Sequence, residues 1–87
     1  MTDSNKFRTL AKDKVCKLEK ELYGREIQHE DIQVVFQAYI LGQMKATMVV
    51  ARNTDGRYYE ISYSFINNKI FVDVYKKIDT RKFEVEE

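Results

Sequence analysis

The 87-residue sequence has no proline, no tryptophan, one cysteine and three glycines. A single cysteine, Cys16, excludes an internal disulfide framework. No apolar run has the length of a membrane span or the form of a signal peptide, so we expect a cytoplasmic protein without a membrane partner. Fifteen basic and 14 acidic residues give a net charge of +1, which argues against a strongly cationic nucleic-acid binder.

The residues that usually build catalytic and metal sites are also scarce. General acid–base catalysis commonly uses histidine, and the sole histidine, His29, lies in a polar segment that we predict to be a solvated loop. We predict that Cys16 lies at the edge of a helical apolar stripe as an inert, partly exposed thiol. We find neither a metal-ligand spacing nor a phosphate-binding glycine loop. The sequence therefore predicts no enzyme, no cofactor and no metal site.

An amphipathic helix is predicted at about residues 5–23. Ser4 suits its N-cap, and Gly24 suits the residue that follows its end. The charged residues lie largely off the apolar stripe, and Asp13 is spaced to pair with Lys17 one turn later. The stripe spans roughly 140° and is formed by Phe7, Leu10, Ala11, Val15, Leu18 and Leu22.

Four strands are predicted to follow, at about residues 31–41, 44–53, 57–66 and 69–78, with a tail or short fifth strand at 79–87. Three turn signals separate these strands: a three-residue loop Leu41-Gly42-Gln43 and two-residue turns at Asp55-Gly56 and Asn67-Asn68. We therefore predict a single α+β domain, residues 1–87, with an N-terminal helix packed on a four-stranded antiparallel meander, α-β-β-β-β.

The predicted turns also set a register. They pair Phe36 with Met48, Met48 with Tyr63, and Tyr63 with Val72. A slip of one residue would move every side chain of a strand to the other face. The predicted face beneath the helix consists of Ile32, Val34, Phe36, Ala38, Ile40, Met44, Ala46, Met48, Val50, Tyr59, Ile61, Tyr63, Phe65, Ile70, Val72 and Val74.

One helix covers one face of a sheet, so the residues of opposite parity form a second face. Its aromatic side chains are interleaved with charges, and the predicted register sets Glu60 opposite Tyr75 and Tyr58 opposite Lys77. Aromatic residues stabilise strands, but tyrosine-rich patches with a charged rim are also typical of protein interfaces. The predicted partner-binding residues are Tyr39, Tyr58, Glu60, Phe71, Asp73, Tyr75 and Lys77.

Two further surfaces support alternatives. The strand at 32–41 lacks the edge lysines that Lys76 and Lys77 give the fourth strand, so a homodimer through 32–41 is a prediction. Lys17 and Lys20 lie on a basic side of the helix, which favours a small nucleic-acid-binding regulator as the alternative function. A third alternative is a protein that sequesters a signalling nucleotide in an aromatic pocket.

Four segments carry a family resemblance: Glu30 to Phe36, Met44 to Ala46, Thr54 to Tyr63 and Val72 to Lys77. They are similar to short uncharacterised proteins from phages and prophages of Gram-positive bacteria, which share an Asp-Gly-x-Tyr-Tyr-Glu hairpin and an Asp-Val-Tyr-Lys-Lys strand. The resemblance covers about residues 27–77, with Met44 in the place of a tryptophan. It implies a small phage-borne protein in a bacterial host cell. The expected function is non-enzymatic inhibition of a bacterial defence protein, such as a CRISPR nuclease, by occupation of its surface.

Overall fold

A computed structural model of the chain describes residues 4–53 and 55–85, which form one helix and one antiparallel sheet. The elements are α1 (Ser4–Tyr23), a 3₁₀ turn (His29–Asp31), β1 (Ile32–Ile40), β2 (Gln43–Val50), β3 (Tyr58–Ser64) and β4 (Lys69–Tyr75). The strands lie in the order β1-β2-β3-β4. This is the predicted α-β-β-β-β meander, and the helix bounds agree with the prediction to one residue.

Residues 79–87 were predicted to form either a tail or a short fifth strand. Residues 76–85 have no regular structure, so no fifth strand forms within them, and residues 86 and 87 of the predicted tail lie outside the described residues. Ile78 and Phe83 are exposed within this tail. No helix in the described part of the chain has the length and apolarity needed to cross a membrane.

Helix α1 ends at Tyr23, and Gly24 follows it as predicted, with a φ of 67° in the left-handed region. The Gly24 N–H donates to the Lys20 carbonyl at 3.0 Å, as in an αL cap, and the Arg25 N–H donates to the Glu19 carbonyl at 3.2 Å. Leu22 departs from the prediction because it is 55% exposed. It shares the angular range of the buried Ala11 and Val15, so its exposure arises from its position in the last turn of the helix.

The β1–β2 hairpin differs from the prediction in two places. Its turn has two residues, Leu41 at φ 48° and Gly42 at φ 78°, as a type I′ turn requires, so Ile40 pairs with Gln43. A β-bulge then lies between Val34 and Phe36. Val34 opposes Met48, whereas Phe36 opposes Thr47.

The bulge reverses the facing of the second half of β1. Phe36, Ala38 and Ile40 were predicted beneath the helix, but they lie on the second face, and Phe36 is 54% exposed. Gln37 and Tyr39 lie on the helix side instead. The Gln37 side chain accepts a hydrogen bond from Arg8 Nε at 3.0 Å and donates one to the Ser4 carbonyl at 3.2 Å.

The other two predicted turns are too short. Residues 51–57 connect β2 to β3, and residues 65–68 connect β3 to β4. Met48 therefore opposes Tyr59 rather than Tyr63, and Tyr63 opposes Ile70 rather than Val72. These shifts amount to four and two residues. Because both are even, they preserve the predicted faces of β2, β3 and β4.

The core lies between α1 and the two central strands. It contains Phe7, Ala11, Val15, Ile32, Met44, Ala46, Met48, Val50, Tyr59, Ile61 and Tyr63, all of which are buried. Ile70, Val72 and Val74 are only half-buried, because β4 is an edge strand with a neighbour on one side. Val72 thus lies on the predicted face beneath the helix but is not buried as expected, while burial of Met48, Ile61 and Tyr63 is confirmed.

A buried ion pair joins the helix to the start of β3. Glu19 has no exposed surface and continues the stripe of Phe7, Ala11 and Val15 by one more turn. Arg57 donates to both Glu19 carboxylate oxygens, from Nε at 2.9 Å and from a terminal nitrogen at 2.8 Å. The Tyr59 hydroxyl donates to the same carboxylate at 2.6 Å. This pair was not predicted from the sequence, in which the charged residues of the helix lie largely off the apolar stripe.

Further contacts surround Arg57. Its guanidinium lies 3.8 Å from the centre of the Tyr23 ring, a cation–π contact. Its remaining terminal nitrogen donates to Asp55 at 2.6 Å. No buried side-chain nitrogen or oxygen lacks a hydrogen-bond partner in the described residues. This completeness matters because a buried charge that loses its partner destabilises a protein by about 3–5 kcal/mol.

The charge states of this cluster follow from its contacts. Burial alone would raise the pKa of the Glu19 carboxyl, but hydrogen bonds from Arg57 and Tyr59, together with nearby positive charge, bring that pKa below its usual value. Burial raises the pKa of Tyr59, and the adjacent Glu19 raises it further. At neutral pH Glu19 is therefore ionised, Arg57 is charged and Tyr59 is neutral.

The ion pair predicts a large effect of removing one partner. We expect Arg57→Ala to lower the free energy of unfolding by about 3–5 kcal/mol, because it leaves the Glu19 carboxylate buried without its partner. Urea denaturation measures this change. Replacing both residues with leucine should destabilise the protein by less than the sum of the two single leucine substitutions. Additive effects would show that the two side chains are not energetically coupled.

A pH dependence follows from the lowered pKa of Glu19. The folded state favours the ionised carboxylate, so its stabilisation is complete above the ordinary value of 4.5 and is lost as the pH falls through the lower folded pKa. Unfolding by urea between about pH 7 and pH 3 should show this loss. Glu19→Gln should be less stable at neutral pH and less acid-sensitive, while Glu21→Gln, an exposed change on the same helix, should match the wild type. Equal acid sensitivity of Glu19→Gln and wild type would contradict this assignment.

The bulge predicts that two isoleucines respond differently. Ile61 is buried beneath the helix, so Ile61→Ala should cost about 2–5 kcal/mol. Ile40 lies on the exposed second face, so Ile40→Ala should cost at most about 1 kcal/mol, the span of strand propensity. Thermal melting compares the two variants. Equal losses of stability would indicate that Ile40 packs in the core and would contradict the bulge.

Candidate protein-docking face

The second face is the sheet surface turned away from α1, and the structure brings five predicted site residues together on it. Tyr58, Glu60 and Phe71 lie there with Asp73 and Tyr75, because β3 and β4 alternate as predicted. The Tyr58 and Tyr75 rings stack with centroids 5.2 Å apart. The complete face consists of Gln33, Phe36, Ala38, Ile40, Gln43, Lys45, Thr47, Val49, Tyr58, Glu60, Ser62, Ser64, Lys69, Phe71, Asp73 and Tyr75.

Two predicted site residues do not belong to this face. Tyr39 opposes Met44 on the helix side, and its ring lies 5.6 Å from that of Phe65. Lys77 lies beyond the end of β4 at Tyr75, so it is not opposite Tyr58. The predicted pairing of Glu60 with Tyr75 is also wrong, since Glu60 opposes Asp73.

Phe36 and Ile40 take the place of Tyr39 on the second face, and neither was predicted to lie there. Phe36 projects beside the row of Thr47, Glu60 and Asp73. Together with Phe71, which is 52% exposed, it gives this face aromatic side chains on both edge strands. A Gly or a polar residue at the bulge would have signalled the change of facing, but the bulge falls in the run Val34-Val35-Phe36.

A shallow depression lies at the middle of the second face. It is lined by Phe36, Lys45, Thr47, Glu60 and Ser62, with a volume of about 230 Å³. Small-molecule sites usually enclose about 300–1,000 Å³ and are mostly apolar. The depression is smaller and more polar, which disfavours the nucleotide-sequestering alternative at this position.

Charge on the second face is separated along the strands. Lys45 and Lys69 lie toward the β1–β2 and β3–β4 turns, while Glu60 and Asp73 lie one or two rows further along. The negative charge of Asp73, and then that of Glu60, raises the pKa of the Tyr75 hydroxyl. The face therefore has a positive end and a negative end, with aromatic side chains in both.

The other predicted chemical candidates, Cys16 and His29, lie outside the second face: Cys16 packs against the edge of the core, and His29 begins the 3₁₀ turn. Burial raises the pKa of the Cys16 thiol, and the charges of Asp13 and Asp31 raise it further, so the nucleophilic thiolate is disfavoured. His29 is not a free loop residue, because its Nε2 lies 2.6 Å from Asp13 Oδ1. Asp13 thus contacts His29 rather than the predicted Lys17. Residues 4–53 and 55–85 hold no group of three or more His, Cys, Asp or Glu side chains able to bind a metal.

The fold and this face define a small α+β domain with one covered and one exposed sheet face. The chain belongs to DUF6275, a family of unknown function, whose model matches residues 7–85. The match covers the helix from Phe7 onward and all four strands. No curated protein and no solved structure matches the chain. Membership of this family assigns no activity to the chain.

Proposed function

We propose that this protein is a non-enzymatic binding domain that docks onto a larger protein through its second face. The observation that carries the proposal is the exposure of Phe36 and Phe71 on one sheet surface, beside the stacked pair Tyr58 and Tyr75. Exposed aromatic side chains grouped within a polar rim are typical of protein interfaces. The binding free energy of a protein interface usually comes from a few central residues, which are often aromatic.

The partner we propose is a bacterial host protein, and the mode of action is inhibition of a defence protein, such as a CRISPR nuclease, by occupation of its surface. The support is the similarity of two segments to short phage proteins. These segments, Asp55 to Glu60 and Asp73 to Lys77, lie at or within adjacent strands β3 and β4. They contribute the stacked tyrosines and both acidic residues of the second face.

A nucleic-acid-binding regulator is the second candidate. Exposed aromatic rings on a four-stranded sheet can stack single-stranded bases, and α1 adds basic residues such as Lys17 and Lys20. Glu60 and Asp73 oppose this function because they place two carboxylates where a phosphate backbone would pass. The two functions differ in their salt dependence, which is steep for phosphate contacts.

The test compares face and helix variants. The immobilised full chain is incubated with bacterial lysate, a captured protein is identified and purified, and its affinity is measured for each variant. Tyr58→Ser and Tyr75→Ser should bind at least tenfold more weakly, because truncating an interface hot spot costs about 2 kcal/mol or more. Lys17→Ala and Lys20→Ala are the controls and should bind like the wild type.

The same variants separate the two functions. A fluorescent single-stranded oligonucleotide is the second probe, titrated at low and physiological salt. Tight binding that falls steeply with salt and is lost in the two lysine variants would replace our proposal with nucleic-acid binding. Melting curves for all four variants exclude unfolding as the cause of any loss.

A further inference from the structure

We infer that in the free protein the second face is covered by the second face of another copy, which gives a two-fold symmetric sandwich of two sheets. This inference rests on the proposed function, since it uses the same face and makes the larger partner a competitor of self-association. The reason to expect a cover is the exposure of Phe36 and Phe71 on one face of the sheet. Two sheets that pack face to face bury such side chains in a layer about 10 Å thick.

The charge pattern selects a second copy as the occupant. In the described part of the chain, none of the four charged residues of the face, Lys45, Glu60, Lys69 and Asp73, forms an ion pair within 4.0 Å. The two-fold axis of such a pair lies in the plane between the two sheets, perpendicular to the strands. The strands of the two copies then run in opposite directions, so the same patch meets itself reversed. The lysine end of each copy then lies over the carboxylate end of the other. Each face carries the charges that the other needs.

The area of the second face is compatible with a weak dimer. Four strands spaced by about 4.8 Å, each with seven residues rising about 3.3 Å, present a face of about 19 by 23 Å. The plane of this face is about 440 Å² per copy, and side-chain relief adds to that area. A standard stable interface buries about 800 Å² per partner and smaller ones are typical of weak association, so we expect a concentration-dependent dimer.

Pairing through the β1 edge accounts for less of the structure. The bulge between Val34 and Phe36 interrupts the regular geometry of this strand, and bulges are a common means of discouraging edge pairing. Edge pairing would also leave Phe71 on β4 uncovered, because β4 lies at the opposite edge. The homodimer predicted through residues 32–41 therefore stays a separate prediction. The second face is the dimer interface that accounts for more of the structure.

The experiment reverses the charges in two complementary variants of the full chain. The acidic variant carries Lys45→Glu and Lys69→Glu, and the basic variant carries Glu60→Lys and Asp73→Lys. Sedimentation velocity at near-physiological salt should show a dimer for the wild type. Each variant alone should dissociate at least tenfold more readily, because like charges meet across its interface. An equimolar mixture of the two variants should form a heterodimer.

A matched control separates specific contacts from net charge. Lys12→Glu with Lys17→Glu makes the same charge change on α1, away from the second face. This control should remain a homodimer, and it should not form a heterodimer with the basic variant. Phe71→Ser should become monomeric without any charge change. Circular dichroism melting of each variant shows that its monomers are folded.

Several outcomes would overturn the inference. A wild type that is monomeric at every concentration up to its solubility limit contradicts it, and so does a dimer that persists in Phe71→Ser and in both charge variants. The proposed function is scored separately by partner capture. If the chain is monomeric yet its partner binding depends on Tyr75, only the inference fails. If the dimer forms and no captured protein competes with it, only the proposed function fails.

Discussion

The bidentate ion pair between Glu19 and Arg57 determines how the helix sits on the sheet. The two residues are 38 positions apart, and their contact joins the last turns of α1 to the residue just before β3. Burial of two charges is expensive unless every hydrogen bond is made, and here Tyr59 and Asp55 complete the set. A bidentate pair also fixes orientation, because both guanidinium donors must face both carboxylate oxygens. The helix is therefore held on one face of the sheet, and the second face is not covered by α1.

The predicted sheet faces were correct where the register error was an even number of residues and wrong where it was odd. On β2, the alternation of Met44, Ala46 and Met48 identifies the buried face whatever the length of the loops, so shifts of two and four residues left that face unchanged. One extra residue at the β1 bulge reversed Phe36 and Tyr39. Both positions are aromatic, so composition could not show which of them faced the helix.

The buried carboxylate could have been found by extending the helical spacing. Phe7, Ala11, Val15 and Glu19 recur every four residues, and a charged residue that continues an apolar stripe needs a buried partner. Arg57, directly before a strand of strongly alternating apolar character, is a reasonable partner in retrospect. Nothing in the sequence fixes that pairing, however, because the contact forms only once the long connection from β2 to β3 has brought Arg57 beneath the helix.

The carboxylates at one end of the second face restrict what can dock there. An apolar partner alone would bury Glu60 and Asp73 without compensation, and a nucleic-acid backbone would add negative charge to them. A suitable partner must present cations opposite these two residues and acidic groups opposite Lys45 and Lys69, around an apolar centre for the aromatic rings. Charge complementarity of this kind sets orientation and excludes wrong partners more than it adds affinity. A larger partner can therefore displace a second copy only if its surface presents a similar arrangement of charges.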